Sequence, residues 1–171
     1  MKIGILQTGH APDALQPGLG DYADMFGRLL AGRGFDFVVH DVVDGVFPAG
    51  PAACDGWLIT GSKHGAYEGH PWIPPLEDLI RAINKAGRPL VGICFGHQII
   101  AQALGGRVEK VAGGWTVGRQ AYTWQGECVH LNAWHQDQVV EVPPGADVLA
   151  ANDRCAFAAL RIGPNILTVQ A

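Results

Sequence analysis

The stretch Gly92-Ile93-Cys94-Phe95-Gly96-His97-Gln98 constrains the fold of this chain more than any other part of its sequence. An apolar run over residues 89–93 leads into Cys94, and a helical pattern follows at once. A strand, a sharp turn and a helix around one nucleophilic side chain are typical of a nucleophile elbow, and Gly92 and Gly96 leave room for the strained turn. The helix N-terminus predicts a lowered pKa for the Cys94 thiol, and the N–H of Phe95 is predicted to stabilise an oxyanion. By itself, the G-x-C-x-G pattern also fits a buried structural cysteine.

The first hundred residues alternate between strand-like and helix-like patterns. Asp21 is predicted to cap the first helix, which follows a loop rich in glycine and proline over residues 9–20. Predicted strands cover residues 3–6, 35–43, 56–60 and 89–93, and predicted helices cover residues 22–33 and 71–86. This order indicates an α/β fold with a mostly parallel central sheet flanked by helices. The active site of such a sheet lies beyond the C-terminal ends of the strands, where both Cys94 and the loop that starts at Gly61 are expected.

The second half of the chain is predicted to be β-rich. Short β-prone segments separated by glycines and prolines cover residues 107–111, 117–124, 129–134, 139–142, 147–151, 156–162 and 165–169. They predict antiparallel strands or an extension of the main sheet. We expect residues 1–171 to form a single domain.

The composition argues against several classes of function. The net charge is −4 and the basic residues are scattered, so neither a nucleic acid nor a membrane surface is expected as a partner. No apolar run approaches the length of a transmembrane helix, and no signal peptide precedes the first predicted strand. The four cysteines lack C-x-x-C spacing, which indicates a reducing, cytoplasmic environment. The seven histidines lack H-x-x-x-H spacing, so neither a metal nor another cofactor is expected.

The elbow sequence resembles the nucleophile motif of the class I glutamine amidotransferases, and other segments along nearly the whole chain match as well. The resemblance implies the flavodoxin-like class I glutaminase fold, with Cys94 as the nucleophile. Residues 59–68 (Ile-Thr-Gly-Ser-Lys-His-Gly-Ala-Tyr-Glu) are similar to the oxyanion loop of that family. This similarity implies that the N–H of Ser62 or Gly61, together with that of Phe95, forms the oxyanion hole.

The resemblance also implies a set of substrate-binding residues. Gln98 is expected to line the site, whereas His97 is expected to be structural. Residues 112–118 resemble the segment whose backbone holds the α-amino and carboxylate groups of glutamine, which implies roles for Thr116, Val117 and Gly118, although a plain β-turn fits the same residues. Residues 134–139 are similar to a His-x-Asp-x-Val segment of the GMP-synthetase-like branch, which implies that His135 lies near the site without being the base.

The sequence departs from the family pattern at its C-terminal end. The family's base is a His-x-Glu pair just after a late strand, and residues 166–171 match only that strand and the start of the segment. We expect that the natural protein continues past Ala171 and that this chain is truncated. The alternatives are a protein that has lost the catalytic pair, or one in which His135 replaces the base.

These expectations combine into one predicted function with open alternatives. Cys94 attacks the side-chain amide of L-glutamine, a γ-glutamyl thioester forms, and ammonia leaves for an acceptor that a separate synthetase subunit would supply. Little turnover is expected of the 171-residue form. One alternative is a γ-glutamyl peptidase acting on γ-glutamyl conjugates, and another is a non-catalytic relative that binds glutamine. PfpI-like hydrolases share a cysteine elbow but usually place histidine directly after the cysteine, where this chain has Phe95.

Overall fold

The computed structural model describes residues 1–170 and shows an α/β fold built on one large mixed sheet. The helices are α1 (Gln16–Leu19), α2 (Tyr22–Leu29), α3 (Ile73–Lys85) and α4 (Phe95–Ala103). The strands are β1 (Lys2–Leu6), β2 (Asp36–His40), β3 (Gly56–Ile59), β4 (Leu90–Ile93), β5 (Arg107–Lys110), β6 (Thr116–Trp124), β7 (Glu127–His135), β8 (Asp137–Glu141), β9 (Ala146–Ala151), β10 (Ala159–Ile162) and β11 (Ile166–Val169).

The large sheet is parallel in one half and antiparallel in the other. Its strand order is β2-β1-β3-β4-β11-β10-β9-β6-β7, and the first five strands pair in parallel. The next strands pair antiparallel, while β5 and β8 form a separate two-stranded sheet. The predicted parallel sheet and β-rich second half are both present, and the second half both extends the main sheet and adds antiparallel strands.

Helices cover both faces of the parallel half because its strands carry apolar side chains on both sides. On one face, α3 and α4 pack against Leu6, Ile59 and Leu90. On the other face, α2 packs against Ile5 and Leu58. Burial on both faces explains why these strands read as continuous apolar runs in the sequence.

Some predicted boundaries were wrong near the N-terminus. The strand predicted over residues 35–43 ends at His40, and Val42–Asp44 forms a 3-10 turn in which the Val43 N–H donates to the Gln7 carbonyl. Within the predicted loop over residues 9–20, the structure has the one-turn helix α1. The predicted helix over residues 22–33 ends at Leu29, although its Asp21 cap is present as a complete capping box with Asp24.

None of the helices within residues 1–170 is long and apolar enough to cross a membrane.

Candidate active site

Cys94 occupies a strained turn between β4 and α4. Its backbone has φ 54° and ψ −105°, a conformation that L-residues rarely adopt. A Cβ atom at Gly92 would lie 2.5 Å from the Gly96 carbonyl oxygen, and a Cβ atom at Gly96 would lie 2.5 Å from the Ile59 carbonyl oxygen. The two glycines are therefore required by backbone contacts, as expected for a nucleophile elbow.

Phe95 and the loop after β3 lie next to the Cys94 side chain. The Phe95 N–H donates to the Cys94 sulfur from the first position of α4. A Cβ atom at Gly61 would lie 3.6 Å from the Cβ of Cys94, so the loop after β3 passes directly beside the nucleophile. Within residues 1–170, the N–H groups of Gly61 and Ser62 donate to no protein acceptor. The structure thus brings together the four residues that the sequence predicted for nucleophile and oxyanion hole.

The predicted lowering of the Cys94 pKa does not hold. Burial raises the pKa of the Cys94 thiol above its ordinary value, the hydrogen bond from Phe95 acts in the opposite direction, and the Asp137 carboxylate raises the pKa further. Desolvation of the thiolate outweighs the stabilisation by the helix N-terminus. The free thiol is consequently protonated at neutral pH and needs a base before it can attack.

Gln98 lies in a buried hydrogen-bond network on α4. Its Nε2 donates to the Asp137 carbonyl over 2.9 Å and to Oε1 of Gln170 over 3.0 Å. Nε2 of Gln170 in turn lies 3.8 Å from the Cys94 sulfur. Gln98 therefore lies next to the site as predicted, but its amide nitrogen is occupied by protein acceptors. The sequence analysis missed Gln170. The available signal was its position directly after the last predicted strand, which is expected to end beside the nucleophile.

The two histidines singled out in the sequence have different surroundings. His97 is fully buried, its Nδ1 lies 2.7 Å from Oγ1 of Thr168, and burial lowers its pKa to about 3. This environment supports a structural role for His97. His135 is also buried, and burial lowers its pKa, but its side chain lines the same cavity as Cys94.

Cys94 opens into a cavity of about 710 Å³, which we call the Cys94 cavity. Residues from four parts of the chain form its walls: 10–13 with Tyr22, 62–65 with Glu68, Cys94 and Phe95 with Gln98, and the β-rich half. The β-rich half contributes Lys110, Trp115, Trp134, His135, Gln136 and Asp137. A cavity of this size accommodates a small-molecule ligand.

The structure does not bring Thr116, Val117 and Gly118 to the Cys94 cavity. Thr116 is buried and lines a separate cavity, while Val117 and Gly118 are exposed on β6. Trp115, the residue before them, lies on the cavity wall instead. We therefore leave these three residues out of the proposed site.

A model of the class-I glutamine amidotransferase family matches residues 52–170, which include the elbow, the loop after β3 and Gln170. The chain belongs to this family. The structure resembles the crystal structure of a glutamine amidotransferase from Methylobacillus flagellatus, with a TM-score of 0.81 and 26% sequence identity. The match covers 99% of this chain and 68% of the Methylobacillus chain.

Two relatives of this chain carry the names of different enzymes. Gamma-glutamyl peptidase 4 of Arabidopsis thaliana is 34% identical over 88% of this chain. A subunit of the glutamine-hydrolysing GMP synthase of Halobacterium salinarum is 30% identical over 82% of this chain and 76% of its own length. The amidotransferase-family chain spans 66% of the length of the peptidase.

Proposed function

We propose that this protein hydrolyses the γ-amide of L-glutamine through a covalent intermediate on Cys94. The observation that carries the proposal is the strained Cys94 turn, with the Phe95 N–H and the loop at Gly61 both next to the Cys94 side chain. A nucleophile flanked by preorganised N–H donors is the arrangement that acyl transfer requires. The cavity wall carries three carboxylates, Asp13, Glu68 and Asp137. It also carries Lys63 and Lys110, which are the candidate partners for the carboxylate of the substrate.

The proposed reaction has two stages. The Cys94 sulfur attacks the amide carbon, and the negative charge that develops on the oxygen is stabilised by the N–H groups of Phe95 and of Ser62 or Gly61. The amide nitrogen takes up a proton and leaves as ammonia, which yields a γ-glutamyl thioester. Water then attacks the thioester and releases glutamate and the Cys94 thiol.

This reaction needs a base because burial raises the pKa of the Cys94 thiol. The family pattern assigns that role to the histidine of a His-x-Glu pair after the strand that ends at Val169, and we propose that histidine as the base. His135 is the second candidate because it lines the Cys94 cavity and is kept neutral by burial.

A glutaminase assay on the full-length protein tests the proposal. Cys94→Ala is expected to reduce ammonia release from glutamine to background, whereas Cys128→Ala, at an exposed cysteine outside the cavity, is expected to keep full activity. Unchanged turnover in Cys94→Ala would refute the proposal. His135→Ala separates the two bases: background activity assigns the base to His135, and retained kcat supports the His-x-Glu pair.

A second candidate function is hydrolysis of γ-glutamyl conjugates with a bulkier leaving group. Trp115 and Trp134 line the cavity with ring centroids 6.1 Å apart, and both are largely exposed. The cavity is larger than glutamine needs, and an exposed aromatic pair lies beside it. This arrangement favours an apolar or aromatic leaving group. The relation to gamma-glutamyl peptidase 4 supports the same substrate class.

Competing substrates distinguish the two functions. If conjugates are the substrates, kcat/KM for γ-glutamyl-phenylalanine exceeds that for glutamine, and Trp115→Ala lowers the first value about tenfold while it leaves the second unchanged. A higher kcat/KM for glutamine, with no effect of Trp115→Ala on either substrate, would support the glutaminase.

A glutaminase of this kind would pass its ammonia to a separate synthetase subunit. The relation to the GMP synthase subunit of Halobacterium salinarum supports such a partner. Stimulation of glutaminase activity by the partner, copurified with the full-length protein, would test it. The four free cysteines of the described chain support a reducing, cytoplasmic location.

A further inference from the structure

The loop between β3 and α3 brings three potential metal ligands together. Nε2 of His70 lies 2.7 Å from Oε2 of Glu68, and Nδ1 of His64 lies 3.5 Å from the same oxygen. The ligand atoms of all three residues lie within 4.8 Å of one another. Small adjustments of these side chains would reach the separations of about 3.3–3.5 Å expected in a tetrahedral site with metal–ligand bonds of about 2.1 Å.

The fold holds this loop in place independently of any metal. Nε2 of Gln102 on α4 donates to the Ala66 carbonyl over 2.8 Å, inside the loop. The His70 ring stacks on the buried Trp72 with an interplanar angle of 12°, and the His64 ring packs against the edge of the same indole. Both imidazoles are thus positioned by an anchored aromatic side chain, which lowers the conformational entropy that metal binding has to overcome.

The donor set suits zinc. Two imidazole nitrogens and one carboxylate oxygen are the ligands of three-residue zinc sites, which keep a fourth position for water.

We propose that His64, Glu68 and His70 form a binding site for Zn²⁺ at the edge of the Cys94 cavity. The spacing H-x₃-E-x-H did not predict it, because the sequence pattern expected for a metal places histidines one helical turn apart. Here a loop, rather than a helix, brings the ligands together. The expectation of no metal rested on helical spacing alone.

The position of this site connects it to the proposed catalysis. His64 and Glu68 line the Cys94 cavity, and Ser62, a proposed source of the oxyanion N–H, accepts a hydrogen bond from the His64 N–H. Trp72, beneath both histidines, packs against Phe95 with ring centroids 5.6 Å apart. Zn²⁺ at the loop would therefore narrow the cavity and inhibit turnover; this consequence, unlike the binding itself, rests on the proposed function.

Binding is tested in the untagged full-length protein carrying Cys94→Ala, which removes the thiol as a competing zinc ligand. Titration calorimetry with ZnCl₂ is expected to show one Zn²⁺ per chain. Addition of His70→Gln is expected to weaken binding at least tenfold, since one of three ligands is lost, whereas addition of His130→Gln, at an exposed histidine on β7, leaves the affinity unchanged.

Two further measurements keep the test decisive. Glu68→Gln, which retains the shape of the side chain, is expected to weaken binding as well, and circular dichroism checks that each variant is folded. Equal Zn²⁺ affinity in all variants, or no binding to the parent, would overturn the site. Because this background lacks the nucleophile, failure of the proposed glutaminase activity would not affect the result.

Inhibition is measured separately in the protein with intact Cys94. Zn²⁺ is expected to inhibit ammonia release, and His70→Gln, which does not line the cavity, is expected to raise the inhibitory Zn²⁺ concentration at least tenfold. Equal inhibition of both proteins would overturn the proposed inhibition by Zn²⁺ at the loop. The calorimetric test of Zn²⁺ binding would not be affected by that result.

Discussion

The strained backbone at Cys94 makes a prediction about stability that is independent of activity. The pair φ 54°, ψ −105° is the mirror image of a conformation that L-residues adopt readily, so glycine reaches it without steric cost. Any residue with a Cβ is strained there by about 1–3 kcal/mol. Cys94→Ala keeps that strain, and Cys94→Gly releases it, while both variants lack the thiol.

The expected difference follows from two opposing contributions. Glycine costs about 0.5–1 kcal/mol relative to alanine because it gives the unfolded chain more freedom. Release of about 2 kcal/mol of strain outweighs this cost, so Cys94→Gly is expected to be about 1 kcal/mol more stable than Cys94→Ala. For a chain of this size, that difference corresponds to a melting temperature about 2–4 °C higher.

Urea unfolding of the two variants, followed by tryptophan fluorescence and extrapolated to water, measures this difference. The matched control is Ala82→Gly in the last turn of α3, where the same exchange of alanine for glycine costs up to about 1 kcal/mol in an ordinary helical conformation. If Cys94→Gly is less stable than Cys94→Ala by as much as this control loses, then no strain is stored at the elbow and the reasoning is wrong.

Two further stability predictions use other parts of the chain. Gly96→Ala places a Cβ atom 2.5 Å from a backbone carbonyl oxygen and is expected to destabilise the protein by about 1–3 kcal/mol. The control Gly113→Ala, whose Cβ atom would have no atom within 4 Å, should leave the stability within about 0.5 kcal/mol of the parent. Equal melting temperatures of the two variants would contradict this prediction. Hydrogen bonds to Asp21, at 2.6 Å, and to Asp44 raise the pKa of His10. The stabilisation by His10 is therefore fully present below the unfolded pKa of about 6.5, and it is lost as the pH rises through the folded pKa. His10→Gln should therefore lose more stability at pH 5.5 than at pH 9, by less than about 1 kcal/mol because the side chain is partly exposed, and an equal loss at both pH values would contradict this.

The parallel half of the fold was predictable from the sequence because its signals are local. Each apolar run over four or five residues is a strand buried on both faces, and Asp21 caps a helix in the place predicted. The prediction over residues 35–43 was wrong past His40, because the turn there is held by Gln7, far away in the sequence. Propensity alone favours continuing a strand through Val42 and Val43.

The candidate site was predictable in part for the same reason. Cys94, Phe95 and the two flanking glycines are consecutive or nearly so, and the steric demands of a sharp turn are written directly in their spacing. The direction of the Cys94 pKa shift was not predictable, since it depends on how deeply the fold buries the thiol. The helix N-terminus is visible in the sequence, but the desolvation that outweighs it is not.

What the sequence alone determined is the elbow, the alternation of strands and helices that supports it, and the family to which the chain belongs. Only the tertiary structure decided which distant residues meet around Cys94. Because β11 inserts beside β4, with Val169 opposite Ile93, Gln170 comes to lie next to the nucleophile although more than seventy residues separate them. Trp115 and Trp134, like the loop ligands His64 and His70, also meet only in the folded chain. Sheet pairing and loop closure act between residues remote in sequence, whereas the steric rules of a turn act between neighbours. For that reason the elbow could be recognised without the structure, and the residues that the fold brings to it could not.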